Sequence, residues 1–253
     1  MLASRRAWAA VPTILVILAA CCWLVVARQT AGMQPGPGTM GLRAGGFLAV
    51  WAAMMAAMML PAVAPVARLY AQGVAADGGD RVGLRVAGMV AGYLLSWVAV
   101  GCAALGLSQA ADRLASSHPD AAVYAGSVVL AVAGVYQLTS AKHACLSHCR
   151  SPFSLLFSLR RQRGQLRDLR AGIVHGAYCV GCCWALMAAL IAIGIMDLRW
   201  MALLALVITL ERTLPRPAPV VWATSAGLLA LAAAVPWYPD LVPGLHGHPM
   251  MPM

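Results

Sequence analysis

Apolar runs long enough to cross a lipid bilayer recur along this chain, and no other feature limits its fold as strongly. A span needs about 20 mainly apolar residues to cross ~30 Å of hydrocarbon at ~1.5 Å per residue. Residues 7–27, 44–67, 86–111, 121–141, 171–196 and 218–238 each meet that length. A shorter run, 200–210, stops at Glu211 and Arg212 before Pro215, Pro217 and Pro219, and reads as a seventh span or a re-entrant helix. The expected fold is therefore all-α, a polytopic transmembrane helix bundle of about seven spans in which residues 1–253 form a single integral membrane domain. Composition removes the alternatives. Only 10% of residues are charged and 62% are hydrophobic, against roughly a quarter charged in a soluble domain, so neither a water-soluble globule nor a disordered chain fits.

The net charge is +10, from 17 Arg and one Lys against eight acidic residues. These basic residues sit in short segments between the apolar runs, so they read as topology signals and not as a nucleic-acid surface. Placing the amino terminus, with Arg5 and Arg6, in the cytoplasm puts 14 Lys and Arg inside and leaves Arg28, Arg43, Arg113 and Arg199 outside. Segment 142–170 becomes a basic cytoplasmic loop with seven of those charges, lying against anionic lipid. The 239–253 tail, with His246, His248, Met250, Met251 and Met253, falls on the extracytoplasmic side as either a collector of copper or an unstructured end. Leu18-Ala19-Ala20-Cys21 is a fair cysteine-acylation site, but the run continues through Trp23, Leu24, Val25 and Val26 and is kept as a helix. The expected location is the bacterial inner membrane.

Cysteine position carries more meaning than cysteine number. Cys145, Cys149, Cys179, Cys182 and Cys183 fall within 39 residues. If the fourth span continues as a helix to Pro152, Cys145 and Cys149 share one face, with His148 one turn from Cys145 and His143 nearby. His175, Cys179 and Cys182 follow at i, i+4 and i+7 on the fifth span, while Cys183 and Met187 continue a neighbouring stripe. Thiolates and imidazoles so placed chelate soft or borderline ions, Zn(II) or Cu(I). The alternatives are reduced packing thiols or a redox pair. Glycines 172, 176 and 181 would let another helix approach closely.

Met54, Met55, Met58 and Met59 form two adjacent stripes in the second span. Methionine is most often core filler, yet thioethers select Cu(I) over Zn(II). Glu211, the one glutamate, needs a partner in an apolar setting: Arg212 of another copy, a loop arginine, a proton relay, or a ligand histidine that it supports as a second-sphere group together with Lys142. Cys21, Cys22 and Cys102 read as packing.

With these residues the chain resembles a bacterial family of predicted metal-binding integral membrane proteins, a domain of unknown function. The resemblance rests on residues 51–61, on 136–152 with Tyr136-Gln137 and Lys142 leading into the cysteine pair, on 172–187, and on 196–211 with Trp200-Met201; Arg212 stands where that pattern leads one to expect Lys. It implies metal binding and membrane residence but no mechanism. Copper(I) follows from the thiol and thioether ligands, with zinc as the second candidate. The expected function is soft-metal transport or delivery, in contact with membrane lipids and a metallochaperone or other protein partner. The rivals are an intramembrane thiol-disulfide oxidoreductase and a structural or assembly subunit with a stabilising metal. No Ser-His-Asp set, phosphate loop or carboxylate pair supports hydrolysis or ATP use, so an enzyme is not the leading reading.

Overall fold

Helix is the regular structure throughout the computed structural model, which describes residues 2–31, 42–77, 81–151, 166–194 and 197–241. The helices are α1 (Leu2–Thr30), α2 (Ala44–Ala76), α3 (Val82–Ser117), α4 (Pro119–Gln137), α5 (Ser140–Arg150), α6 (Arg167–Gly194), α7 (Leu198–Thr213) and α8 (Ala218–Ala234), and a 3-10 turn follows at Pro239–Leu241. No strand occurs among the described residues. Proline opens α4 and α8, where a missing N–H costs nothing.

Five of these helices, α1 to α4 and α6, are long and apolar enough to cross a membrane. The remaining two expected spans, α7 and α8, have 16 and 17 residues, a rise of about 25 Å each. Large apolar side chains face outward along α1, at Ile14, Ile17, Leu18 and Leu24, and along α4, at Tyr124, Val128, Val132 and Val135. Outward apolar stripes of this kind suit a lipid surround.

One expected continuity fails. The helix through 121–141 does not run on to Pro152 but stops at Gln137, and α5 starts afresh at Ser140. Thr139 causes the break: its Oγ1 accepts the Lys142 N–H at 3.3 Å and donates to the Tyr136 carbonyl at 2.8 Å. A hydroxyl used this way caps a new helix and competes with the old ladder. Part of the expected 142–170 loop is thus helix, in α5 and from Arg167 onward, while 152–165 and the 242–253 tail with its His and Met residues lie outside the described residues.

α2 sits centrally, packed on α1, α3 and α7, and α6 packs on α3, α4 and α5. The α3–α6 contact is the closest, because Gly92 of α3 lies on Leu169 and Ile173 while Gly172 and Gly176 of α6 lie on Met89, Tyr93 and Ser96. A Cβ on Gly172 would fall on the Met89 carbonyl, and one on Gly92 would fall on the Leu169 carbonyl. Only glycine lets two backbones meet at such a distance. Ser96 Oγ adds a bond across the seam to the Ile173 carbonyl at 3.2 Å. At one end of it, Arg85 bridges to Asp168 at 3.1 Å, and Tyr70 donates to the same carboxylate, so one acid joins α2, α3 and α6. A cavity of about 430 Å³ bordered by Pro12, Pro61, Pro65 and Arg68 opens between α1 and α2, and no cysteine lines it.

Candidate metal centre

The thiols meet where α5 lies on α6. Cys149 is buried on the inner face of α5, and Cys179, Cys182 and Cys183 are buried on α6. Cys182 Sγ lies 3.9 Å from Cys149 Sγ, 3.3 Å from Cys183 Sγ and 3.2 Å from the Cys179 carbonyl oxygen. All four are free thiols. Two sulfurs bound to one ion at ~2.3 Å stand from about 3.8 Å apart at a tetrahedral angle to about 4.6 Å when opposed in a line. The Cys149–Cys182 pair falls in that range, whereas Cys182 and Cys183 are closer than two ligands of one ion would be. Among the described residues, no group of three or more His, Cys, Asp and Glu side chains is set to hold a metal ion. The ready ligand set is therefore a sulfur pair.

Two features hold α5 in place for this pair. Lys142 Nζ donates to Glu211 Oε2 at 2.7 Å, with both side chains almost fully buried. Arg150 donates to the Leu214 carbonyl, where α7 ends, and to the Pro215 carbonyl at 3.2 Å. Both contacts tie α5 to α7. Among the described residues the partner of Glu211 is therefore Lys142, and no arginine or histidine is bonded to it.

The other candidates divide. Cys145 is half-buried and faces Gly181, where a Cβ would stand 2.7 Å from its Sγ. Although it is four residues before Cys149, it flanks the buried group. His175 is buried on α6 with its ring 5.8 Å from that of Tyr93, and its Nε2 has no partner. His148 is exposed and stacks on Tyr178 at 4.0 Å; His143 is exposed. Met187 is buried one turn beyond Cys183. Met54, Met55, Met58 and Met59 are fully buried in α2, whose main packing partners are α1, α3 and α7 and not α5 or α6.

Two residues at the centre were not among the expected ligands: Tyr93, and Arg212, which the sequence suggested only as a partner for Glu211. Tyr93 of α3 is fully buried with its Oη 3.1 Å from Cys179 Sγ. The Arg212 guanidinium reaches inward from α7, its Nη2 donating to Cys182 Sγ at 3.6 Å and its Nη1 to Tyr93 Oη at 3.4 Å. A lone tyrosine beside the Gly88/Gly92 spacing was the available hint for the first. For the second it was an arginine next to a glutamate near the end of an apolar run, since neighbours on a helix point about 100° apart and cannot serve the same partner.

Long apolar helices around a buried group of thiols define this chain as a helical bundle with an internal cysteine centre. Residues 48–235 match the PpoB2 family model, described as copper chaperone, and the chain belongs to that family. No curated protein and no solved structure matches it. The matched region contains every helix that supplies the centre, α3, α5, α6 and α7.

Proposed function

We propose that the chain is a copper(I)-binding protein of the bacterial inner membrane that accepts Cu(I) as cargo on Cys149 and Cys182 and passes it on, to a protein partner or across the membrane. The observation that carries this reading is the 3.9 Å separation of two buried sulfurs contributed by different helices. Paired thiolates favour a soft ion, and Cu(I) is the softest common choice. Loading balances simply: each thiol releases its proton to solvent, two copper–sulfur bonds form, and copper remains monovalent.

Cys179 and Cys183 flank the pair and keep its surroundings rich in sulfur. Cys145 and His148, at the more exposed edge of α5, suit the entry or exit side. His175 and Met187 extend the ligand series along α6, and the α2 methionines offer thioethers for a continuing path. The basic segments favour a cytoplasmic position for the α5 edge, where a soluble metallochaperone would dock.

The test is Cu(I) and Zn(II) binding by the reduced, detergent-purified full chain. Cys149→Ser and Cys182→Ser should each abolish tight Cu(I) binding, while Cys21→Ser should leave it intact. Replacing Met54, Met55, Met58 and Met59 by Leu keeps core volume and should slow Cu(I) transfer in liposomes without lowering binding at the thiols. Retained copper in the Cys149/Cys182 double variant would refute the proposal. The same sulfur pair is also near enough for a redox role; a Cys149–Cys182 disulfide formed under mild oxidation and exchanged with a partner thiol, in a chain that takes up no copper, would favour that reading instead.

A further inference from the structure

Arg212 is a fixed cation with no carboxylate of its own. It is 8% exposed, forms no ion pair among those of the described residues, and directs its two terminal nitrogens at Cys182 Sγ and Tyr93 Oη. The adjacent carboxylate, Glu211, is taken up by Lys142 at 2.7 Å, and that pair is neutral. A buried guanidinium, which stays protonated, needs an anion close by, and the groups within reach are thiols and a phenol. The centre is therefore built one positive charge in excess.

That excess decides which ion completes it. Two thiolates with Cu(I) carry a net charge of minus one, which Arg212 cancels. Two thiolates with Zn(II) are neutral, so Arg212 would remain buried and uncompensated. A third thiolate would rebalance zinc, but neither nearby sulfur is placed to supply it. Cys183 Sγ stands 3.3 Å from Cys182 Sγ, closer than the ~3.8 to ~4.6 Å expected of two ligands on one ion, and Cys179 Sγ is engaged with Tyr93 at 3.1 Å. Charge matching in a water-poor site acts strongly because little screening opposes it.

We propose that Arg212 makes the centre selective for monovalent over divalent soft cations by acting as the counter-charge of the ion held between Cys149 and Cys182. This deepens the copper reading given above and rests on it. Arg212 is a positioning and selectivity residue; it does not ligate the ion.

The experiment compares the reduced, full-length wild-type chain with Arg212→Met, Arg212→Gln and Arg212→Lys, titrated with Cu(I) and separately with Zn(II) against chromophoric chelators of known affinity. Arg212→Met should weaken Cu(I) binding by roughly tenfold or more and leave Zn(II) binding equal or stronger, so that the ratio of affinities shifts by at least that factor. Arg212→Lys, which restores the charge, should recover most of the ratio. Arg212→Gln keeps a polar side chain without the charge and should behave like Arg212→Met; it carries the comparison if the Met variant does not fold. An unchanged ratio in the neutral variants, or equal loss of both metals, would overturn the proposal by making Arg212 purely structural. A wild-type chain that binds three-thiolate zinc as tightly as Cu(I) would overturn it as well. Failure of the copper reading looks different: Cys149→Ser and Cys182→Ser would then leave Cu(I) binding unaltered in the wild-type Arg212 background.

Discussion

Replacing Lys142 by Met tests what holds the cysteine-bearing helix α5 in the bundle. The Lys142–Glu211 pair is 2.7 Å long, its side chains are 1% and 2% exposed, and Glu211 Oε1 has no further partner. Met keeps most of the lysine stem but leaves a carboxylate buried and alone, which costs about 3–5 kcal/mol. Because the bond joins α5 to α7, this energy favours detachment of α5. Each ~1.4 kcal/mol is a tenfold change in an equilibrium, so Cys149 should become accessible roughly a hundredfold to a few thousandfold more often. Alkylation of the reduced, metal-free chain reads that opening directly, with Cys21, Cys22, Cys102 and Cys145 replaced by Ser and the modified peptides quantified by mass. Lys142→Met combined with Glu211→Leu removes both charges and should return the Cys149 rate to within about tenfold of the parent, since a buried pair exchanged for apolar groups is close to neutral. Equal rates in the parent and the single variant would refute the reasoning, as would a double variant that reacts as fast as the single one.

Gly172→Ala should destabilise the chain by about 1–3 kcal/mol through overpacking, because its Cβ meets the Met89 carbonyl, whereas Gly106→Ala has nothing within 4 Å and should be neutral or stabilising by about 0.5–1 kcal/mol; thermal unfolding in detergent compares the two. Asp197 caps α7 through the Arg199 N–H at 2.8 Å. Burial raises its carboxyl, but hydrogen bonds from the Arg199 side chain and from the backbone of Arg199 and Trp200 outweigh this and hold it below the ordinary carboxylate range. A depressed folded value means its contribution is present above the unfolded value of ~3.9 and is lost as pH falls through the folded one. Asp197→Asn should therefore keep the cap but lose that acid-side decline, and Asp197→Ala should cost about 1 kcal/mol near neutral pH, both read by thermal unfolding across pH. A reporter fused after Met253 should read extracytoplasmic and one within 160–170 cytoplasmic, because 14 of the 18 Lys and Arg then lie inside; a cytoplasmic carboxyl terminus would overturn the orientation.

The long apolar helices were legible because span length is a property of sequence alone. The break at Leu138-Thr139 was not, since it depends on one hydroxyl turning back on its own backbone within an otherwise apolar run. Three of the four central thiols could be read from α6, where helical spacing puts Cys179, Cys182 and Cys183 on adjoining stripes, and the glycine seam was half visible at Gly172 and Gly176. Its other half, Gly88 and Gly92, shows itself only when α3 is seen against α6. Cys145 looked equivalent to Cys149, but a residue four positions away shares a face without sharing a depth, and Gly181 receives it at the flank. The meeting of Arg212 with Tyr93 at the thiols was hidden for the same kind of reason: they lie 119 residues apart and come together only in the folded bundle.

After α3 with Tyr93, the other three helices of the centre, α5, α6 and α7, emerge from the ribosome one after another. Cys149 precedes Cys182 by 33 residues, and Cys182 precedes Arg212 by 30. At ~5–20 residues per second, the last interval takes roughly 1.5 to 6 s. During that time the sulfur pair can form without its cation, and Lys142 waits for the carboxylate that arrives just before Arg212. The site therefore matures from its carboxyl-terminal side: α7 both locks α5 and delivers the balancing charge, so a chain interrupted before Glu211 would own the sulfurs and lack the means to keep them in register or to choose among metals.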